Sequence, residues 1–252
     1  MTLLEATGIT KRFAGICALD NVDLDVGAGE LVGLIGPNGA GKSTLFNCLT
    51  GVLRPDEGRV VFDGTDLTAM AVHRRARLGI ARTFQRMELF DGMTVVDHLV
   101  VAERARSRRG GLFHDLTFRG RATDDEVARA RAMAELLGLV PHLDRPIESL
   151  SLGQGRLVEL GRALMTEPTL LFLDEPSSGL DQHETTEVAD VLVRVQREKG
   201  TAIVLVEHDI ATVQRICSRL FVLDYGVRIA GGPTAEVMAD RRVREAYLGV
   251  GA

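Results

Sequence analysis

Short apolar runs alternate with polar turns near the amino terminus and again after residue 151. These runs predict strands at residues 19–26, 31–35, 59–63, 169–173 and 202–206. Apolar residues at helical spacing predict helices at residues 42–50, 94–106, 124–139, 153–165 and 183–199. Parallel strands joined by crossover helices form a sheet that is covered on both faces, so the pattern predicts an α/β fold. Between two of the helices, the Arg- and Gly-rich residues 104–111 predict an exposed connection.

Composition places the chain among globular domains, because 45% of its 252 residues are hydrophobic and 26% are charged. The net charge of −5 argues against a general nucleic-acid-binding protein, which carries a concentrated basic face. No secretory signal is visible at the amino terminus, and no apolar run is long enough to cross a bilayer. Cys17, Cys48 and Cys217 are widely spaced in apolar surroundings, which predicts reduced thiols in or near the core.

A glycine-rich loop lies between a predicted strand and a predicted helix, and it fits the pattern G-x-x-x-x-G-K-[S/T]. Its residues are Gly36, Pro37, Asn38, Gly39, Ala40, Gly41, Lys42 and Ser43. Glycines let backbone amides approach phosphate oxygens, and the helix that follows points its positive end at the same oxygens. Lys42 is suited to reach the β- and γ-phosphates, and the Ser43 hydroxyl is suited to bind Mg²⁺. The alternative, a turn that merely contains a lysine, is disfavoured by this strand and helix.

Asp174 and Glu175 follow an apolar strand, where open α/β sheets place their functional sites. Asp174 is suited to hold Mg²⁺, through water. Since successive side chains of a strand alternate in direction, Glu175 points elsewhere and is suited to polarise the attacking water. Two carboxylates at a strand end are usually just solvated, but a phosphate loop upstream favours an NTPase.

The segment 150–154 has the sequence Leu-Ser-Leu-Gly-Gln and precedes the carboxylate strand. Ser151 and Gly153 would begin a helix whose first amides can bind an anion. An ordinary serine-capped helix start is an equal alternative for this segment alone. Here the sequence resembles the ABC ATPase family, whose signature is commonly LSGGQ, and in that family the anion is the γ-phosphate of ATP bound to the other subunit.

Further residues match the family in the family's order. By this resemblance Phe13 stacks on adenine, Gln85 senses Mg²⁺ and γ-phosphate, and His208 contacts γ-phosphate as the switch histidine. Asp181 lies in a segment that resembles the D-loop, which contacts the opposite subunit. Each match alone is weak, since a lone Phe is usually in the core and a lone Gln is usually solvated.

The resemblance assigns roles to the whole set. Catalysis is assigned to Glu175, His208 and Gln85, and nucleotide binding to Phe13 and residues 36–44, which end at Thr44. The opposite subunit's ATP is assigned to Ser151, Leu152, Gly153, Gln154 and Asp181, and Mg²⁺ to Ser43, Gln85 and Asp174. Leu152 departs from the second glycine of the common signature, which is tolerable if its backbone does not need glycine, and Gly155 replaces a long polar residue.

The implied fold is a P-loop NTPase of the ABC ATPase type, with a mixed sheet core, an inserted α-helical subdomain and an N-terminal antiparallel β region. The whole chain, 1–252, is expected to form one nucleotide-binding domain. Its core is expected at about 1–85 and 166–235, its helical subdomain at about 86–165 and its C-terminal extension at about 236–252. The implied ligands are ATP and Mg²⁺. The implied partners are an identical or paralogous second ATPase subunit, membrane permease subunits and, indirectly, an extracytoplasmic solute-binding protein, but no nucleic acid. The implied location is peripheral, at the cytoplasmic face of the cell membrane.

Two segments narrow the resemblance to ATPase subunits of branched-chain amino acid importers (the LivG type), a group that also serves other amino acids, amides and urea. They are residues 87–99 and 222–249. The alternative for the second segment is a plain strand, turn and strand followed by a surface helix. Alternatives are an ABC ATPase of another transport system, one that acts on DNA or ribosomes, and a docking module with vestigial hydrolysis. A GTPase or small-molecule kinase is disfavoured because the chain has no N-K-x-D motif.

Overall fold

The computed structural model of the chain describes residues 2–83, 88–107 and 122–248. The chain divides into two compact units. The sheet unit comprises Met1–Arg82, Thr169–Glu175 and Gln196–Ala252, and the helical unit comprises Thr83–Pro168 and Pro176–Val195. Within the described ranges, no helix combines the length and the apolar composition that a bilayer-spanning segment needs.

The sheet unit holds every strand of the described residues. The strands are β1 Thr2–Phe13, β2 Ile16–Gly27, β3 Leu31–Ile35, β4 Glu57–Phe62, β5 Thr65–Asp66, β6 Ile80–Arg82, β7 Leu170–Asp174, β8 Ala202–Val206, β9 Arg219–Asp224 and β10 Val227–Pro233. The helices of this unit are α1 Lys42–Thr50, α2 Val72–Arg77, α7 Ile210–Ile216, α8 Thr234–Ala239 and α9 Arg241–Leu248.

The larger sheet has the strand order β10-β9-β3-β8-β7-β6. β3 pairs in parallel with both β8 and β9, and β7 pairs in parallel with β8 and β6. Every residue of β3 and β8 is buried, as expected for central strands that carry no polar face. The loops after β3, β7 and β8 therefore meet at one edge of the sheet, where a ligand site is expected.

The second sheet is antiparallel, with the order β2-β1-β4-β5. β1 and β2 form a hairpin in which Phe13 pairs with Ile16 across the turn at Ala14 and Gly15. The sequence pattern missed β1, which carries Phe13. The predicted fold class, a mixed sheet with an N-terminal antiparallel region, is confirmed.

A buried arginine holds the far end of α1. Arg75 is only 1% exposed, and its guanidinium donates to the carbonyls of Cys48 (3.0 Å) and Leu49 (2.7 Å). It also donates to the carbonyl of Leu67 at 2.6 Å. The carbonyls of Cys48 and Leu49 lie in the last turn of α1, where carbonyls outnumber the helix's own amides, so the cation adds donors there and complements the negative end of the helix dipole. The opposite end of α1 faces the glycine-rich loop.

The helical unit is built from α3 Val95–Ser107, α4 Asp124–Leu137, α5 Leu152–Leu164 and most of α6 Gln182–Lys199. α3, α4 and α5 pack on one another, and the packing is close at Gly161, where an added Cβ would lie 2.7 Å from the Leu137 side chain. A capping box of Thr123 and Glu126 starts α4. The predicted helix 124–139 ends at Leu137, because Gly138 takes a left-handed backbone (φ 74°) and terminates it.

Two sequence-based expectations are wrong in part. Arg104 and Arg106 were expected in an exposed connection, but they lie in the last turns of α3 and form ion pairs with Glu126 and Glu103, each at 2.9 Å. The acidic partners come from the neighbouring helix and from the preceding turn, which the local pattern does not show. Cys17 is exposed on β2, whereas Cys48 and Cys217 are buried as expected. Residues 108–111 of the predicted connection lie outside the described residues.

Candidate functional site

The glycine-rich loop joins β3 to α1 and is held partly by its own lysine. Lys42 is buried, and its Nζ donates to the carbonyl of Gly36 at 2.6 Å and to that of Pro37 at 2.9 Å. The ammonium thus lies inside the curve of the loop. Ser43 follows in the first turn of α1 with an exposed side chain, and Thr44 is half-buried.

Two glycines of the loop leave no space for a side chain. A Cβ on Gly36 would lie 2.1 Å from the carbonyl oxygen of Leu223 in β9. Gly41 has φ 101°, and a Cβ there would lie 2.7 Å from the carbonyl oxygen of Ala18 in β2. Gly41 is also the N-cap of α1 and supplies no side chain to the first amides of that helix. Those amides are free of side-chain caps in this described segment, which fits a phosphate group at the helix start.

The carboxylates after β7 lie close to the loop. Glu175 leaves the strand with a left-handed backbone (φ 50°), and its amide donates to the carbonyl of Val206 at 2.9 Å. Its Oε1 lies 2.5 Å from Nε2 of His208, the histidine that follows β8. A non-glycine residue in this conformation is strained, and such residues concentrate at functional sites. The structure thus brings Asp174, Glu175, His208 and Lys42 to the same edge of the larger sheet.

Burial and charge work against each other among these groups. Burial lowers the pKa of Lys42, and the nearby Glu175 and Asp174 carboxylates oppose that shift. Burial, followed by the charge of Glu175, raises the pKa of Asp174, while Arg82, His208 and Lys42 oppose it. The edge therefore has both signs of charge close together, from the buried Lys42 to the exposed His208.

Arg82 is a residue of this edge that the sequence reasoning missed. It ends β6, its guanidinium lies 5.3 Å from the ring centroid of Phe46, and its charge lowers the pKa of Asp174. The signal was present as a basic residue at the end of an apolar strand, but β6 has only 3 residues and was not predicted. A cation beside Asp174 helps to keep that carboxylate ionised despite its burial.

Phe13 lies at the end of β1 with 43% of its surface exposed. The Nζ of Lys11 lies 5.6 Å from the centroid of its ring. An exposed ring beside the hairpin turn offers a flat apolar face, which suits stacking on a base.

The segment 150–154 begins α5 in the helical unit. Ser151 is the N-cap: its hydroxyl accepts from the amide of Gln154 at 3.3 Å, and the Gln154 side chain accepts from the amide of Ser151 at 3.1 Å. Leu152 is the first residue of the helix, so this departure from the common signature does not need a glycine backbone. The sequence-predicted helix start is confirmed here.

Asp181 and Glu184 lie at the start of α6, and Glu184 contacts the same segment. Asp181 Oδ1 accepts from the amide of Glu184 at 2.9 Å and so caps the start of α6. Glu184 Oε1 accepts from the amide of Gly153 at 3.2 Å. The nearby Ser151 hydroxyl, followed by the Gly153 amide, lowers the pKa of Glu184. Sequence reasoning did not single out Glu184.

Gln85, the predicted sensor of Mg²⁺ and γ-phosphate, lies outside the described residues.

Comparisons with known proteins identify the family and the fold. A sequence model of the ABC transporter family matches residues 19–178. A model of the branched-chain amino acid ATP-binding cassette transporter matches residues 227–252, the stretch that begins at β10.

Two curated relatives match almost the full length of the chain. LivG of Escherichia coli K12, a high-affinity branched-chain amino acid transport ATP-binding protein, is 38% identical over 98% of both chains. BraF of Pseudomonas aeruginosa, described in the same words, is 36% identical over 98% of both chains.

A solved structure has the same fold over nearly the whole chain. It is the crystal structure of the ADP conformation of an ATP-binding cassette of an ABC transporter, with 34% identity, a TM-score of 0.86 and coverage of 99% of each chain. Since the first family model spans more than half of this sequence and the relatives span almost all of it, the chain belongs to the ABC transporter family as one of its ATP-binding subunits.

Proposed function

We propose that this chain binds and hydrolyses ATP to power an importer of small polar solutes, with branched-chain or other amino acids, or related amides and urea, as the substrates. The observation that carries the proposal is the match of residues 227–252 to the branched-chain amino acid group, together with 38% identity to LivG over 98% of the chain. The first supports the subgroup, and the second extends the likeness to the whole nucleotide site.

In this proposal the loop and Lys42 bind the phosphates of ATP. Lys42 would exchange its bonds to the carbonyls of Gly36 and Pro37 for phosphate oxygens, which is favourable because the carbonyls are neutral and the phosphates are charged. The uncapped amides of α1 would add donors. Phe13 would stack on the adenine with its exposed ring.

The residues at this edge suit Mg²⁺, because a hydroxyl and a carboxylate are hard oxygen ligands. Ser43 and Asp174 would hold the ion, Asp174 through water, and Gln85 would complete the set. When bound, Mg²⁺ neutralises charge on the β- and γ-phosphates. Arg82 would keep Asp174 ionised for this role, since its charge lowers the pKa of that carboxylate.

Glu175 and His208 would carry out the chemistry together. Glu175 would orient and polarise the attacking water, while His208 would contact the γ-phosphate from the end of β8. The 2.5 Å contact between them supports a coupled role, because each group fixes the position of the other. Most of the acceleration would come from positioning and from charge neutralisation by Lys42, Mg²⁺ and His208.

The second ATP contact would come from another subunit, identical or paralogous. Ser151, Leu152, Gly153 and Gln154 would bind the γ-phosphate of that subunit's ATP, and Asp181 would contact the same subunit. Two chains related by a twofold axis would then form two equal composite sites. ATP would stabilise the closed dimer because its γ-phosphate contacts both chains.

The proposed assembly also contains membrane permease subunits and, indirectly, an extracytoplasmic solute-binding protein. The helical subdomain at about 86–165, with Gln85, would transmit closure of the dimer to the permease. The chain would therefore lie at the cytoplasmic face of the cell membrane as a peripheral subunit.

The test uses Glu175→Gln, which keeps the shape of the side chain but not its basicity. We expect the purified variant to bind ATP, to form a dimer with ATP and Mg²⁺ by light scattering, and to favour ATP over GTP. Because an identical or a paralogous partner subunit is proposed, each assay is run on the chain alone and on the chain with the ATPase subunit that co-purifies from membranes. Glu198→Gln, exposed in α6, is the control and should hydrolyse ATP normally. Wild-type turnover in Glu175→Gln would contradict the catalytic assignment, and recovery of no permease from membranes would contradict the transport assignment.

A further inference from the structure

The proposed function leaves one contact unexplained, that of the Glu184 carboxylate with the start of α5. Gly153, whose amide donates to Glu184 Oε1 at 3.2 Å, is buried. The Ser151 hydroxyl is near enough to the same carboxylate to lower its pKa. The start of α5 therefore faces an anionic side chain, as it would face a phosphate.

The contact is close as well as polar. An added Cβ on Gly153 would lie 3.0 Å from both Cβ and Oε1 of Glu184. The other carboxylate oxygen, Oε2, accepts from the amide of Asp181 at 3.4 Å, and the amide of Glu184 donates to Asp181 Oδ1 at 2.9 Å. The first turn of α6 thus holds both the backbone and the carboxylate of Glu184 beside the signature.

These donors are the ones that the proposed function assigns to the γ-phosphate of the second subunit's ATP. An amide hydrogen makes one strong hydrogen bond, so it cannot serve both anions at full strength. A carboxylate and a phosphate that share one donor would also repel each other, because both are anions. The carboxylate and the γ-phosphate are therefore alternative partners of Ser151 and Gly153.

We propose that the Glu184 carboxylate competes with the γ-phosphate of the opposite subunit's ATP for Ser151 and Gly153, and so sets the ATP concentration at which the dimer closes. This inference rests on the proposed function, since it requires a γ-phosphate at the signature. Glu184 acts through Ser151 and Gly153, so it is a positioning residue that restrains closure. The donors stay ordered by the carboxylate until a stronger anion displaces it.

The test measures the ATP concentration at half-maximal dimerisation, by sedimentation velocity, in the Glu175→Gln background. The sample is the chain alone or with its co-purifying ATPase subunit. Glu184→Ala removes the competing anion, and we expect the midpoint to fall about tenfold, the equivalent of about 1.4 kcal/mol. Glu184→Gln keeps an acceptor but no charge, so its midpoint should fall between those of the parent and of Glu184→Ala.

Glu187→Ala is the matched control, because it removes a carboxylate from the same helix. Glu187 is 56% exposed and its Oε1 lies 3.5 Å from His183, away from the signature donors. Its midpoint should equal that of the parent. Thermal unfolding of each variant shows whether a midpoint changed because the fold changed, and Glu184→Gln serves if Glu184→Ala does not fold.

The outcomes separate the two proposals. A lower midpoint for Glu184→Ala, with Glu187→Ala unchanged, supports the competition. If the parent dimerises with ATP and Glu184→Ala has the same or a higher midpoint, the competition is overturned. The proposed function then still stands. Failure of the Glu175→Gln parent itself to dimerise at any ATP concentration, alone or with its companion subunit, overturns the composite site and the inference with it.

Discussion

The two segments proposed to contact phosphate differ in what holds their donors. In the sheet unit the Lys42 ammonium donates hydrogen bonds to two backbone carbonyls of its own loop, at 2.6 and 2.9 Å. In the helical unit the Gly153 amide donates to a full negative charge, the Glu184 carboxylate, and the Ser151 hydroxyl lies near the same carboxylate. One segment is organised by neutral backbone dipoles and the other by an anion.

This difference predicts opposite responses to substitution. A phosphate that approaches Lys42 replaces weak acceptors by strong ones, so the sheet unit is ready to bind nucleotide on its own. A phosphate that approaches Ser151 must first displace a carboxylate, so the helical unit resists until binding energy is available from the first site. Changes in the sheet unit should therefore weaken function, whereas loss of Glu184 should ease closure.

The largest expected effect is on turnover, at the Glu175 and His208 pair. We expect Glu175→Gln and His208→Ala each to lower kcat by at least about 100-fold while the Kd for ATP changes little. Since the two side chains lie 2.5 Å apart and act on one step, the double variant should lose little more than the worse single variant. Steady-state ATPase rates and equilibrium binding measure both quantities. Fully additive losses would show that the two residues act independently.

The next effect is on binding, at Lys42. Lys42→Ala removes the one charge inside the loop's curve, and we expect the Kd for ATP to rise at least about 100-fold. Lys199→Ala, at the exposed end of α6, removes the same charge elsewhere and should leave the Kd unchanged. Titration calorimetry compares the three proteins. Similar affinities for all of them would mean that the loop does not bind nucleotide through this lysine.

A smaller effect is expected at Phe13, because stacking contributes less than a buried charge. Phe13→Ala should raise the Kd for ATP about three- to tenfold, and Phe13→Tyr should restore it. Phe90 is a fitting control, since it is also an exposed aromatic residue (52%) but belongs to the helical unit. Equal effects of Phe13→Ala and Phe90→Ala on ATP affinity would remove the adenine role from Phe13.

The sheet unit was the more predictable of the two from sequence. Strands such as β3 and β8 are continuous apolar runs, and the loop after β3 contains glycines that a backbone approach requires, so local pattern and structure agree. The order of motifs then gave the family and the main site residues. What pattern could not give is β6 and its Arg82, because 3 residues are too few to show a period.

The helical unit was harder to predict because its specific contacts join distant residues. Glu184 meets Gly153 from 31 positions away, and neither position is unusual in its own neighbourhood. Arg104 and Glu126 are 22 positions apart, so the arginines resembled a solvated cluster. Side-chain pairs of this kind depend on how helices pack, and the sequence alone shows only that each helix has an apolar face.

The smallest expected effect is on stability. It tests whether an ion pair outside the signature also stabilises the helical unit. The Arg104 guanidinium, followed in effect by the Thr123 amide, holds the pKa of Glu126 at about 2, below its ordinary value of 4.5. A carboxylate with a depressed folded-state pKa contributes stability above pH 4.5, and that contribution disappears as the pH falls towards 2. We therefore expect Glu126→Gln to lower the free energy of unfolding by about 1 kcal/mol at pH 7, a value reduced by the partial exposure of Arg104.

The pH dependence distinguishes this ion pair from simple packing. Glutamine still accepts a hydrogen bond from the Thr123 amide, so the capping box that starts α4 survives and only the charge is lost. The difference between wild type and Glu126→Gln in urea unfolding should shrink between pH 5 and pH 3, in the window about the ordinary pKa and below it. Glu135→Gln is the matched control, because that carboxylate is 64% exposed and lies 3.9 Å from Arg131, so it should change stability by less than about 0.5 kcal/mol. If the stability difference between wild type and Glu126→Gln stays constant from pH 7 to pH 3, the Glu126 side chain stabilises the helix by its shape and not by its charge. In the helical unit, the organising role of a carboxylate would then be confined to Glu184.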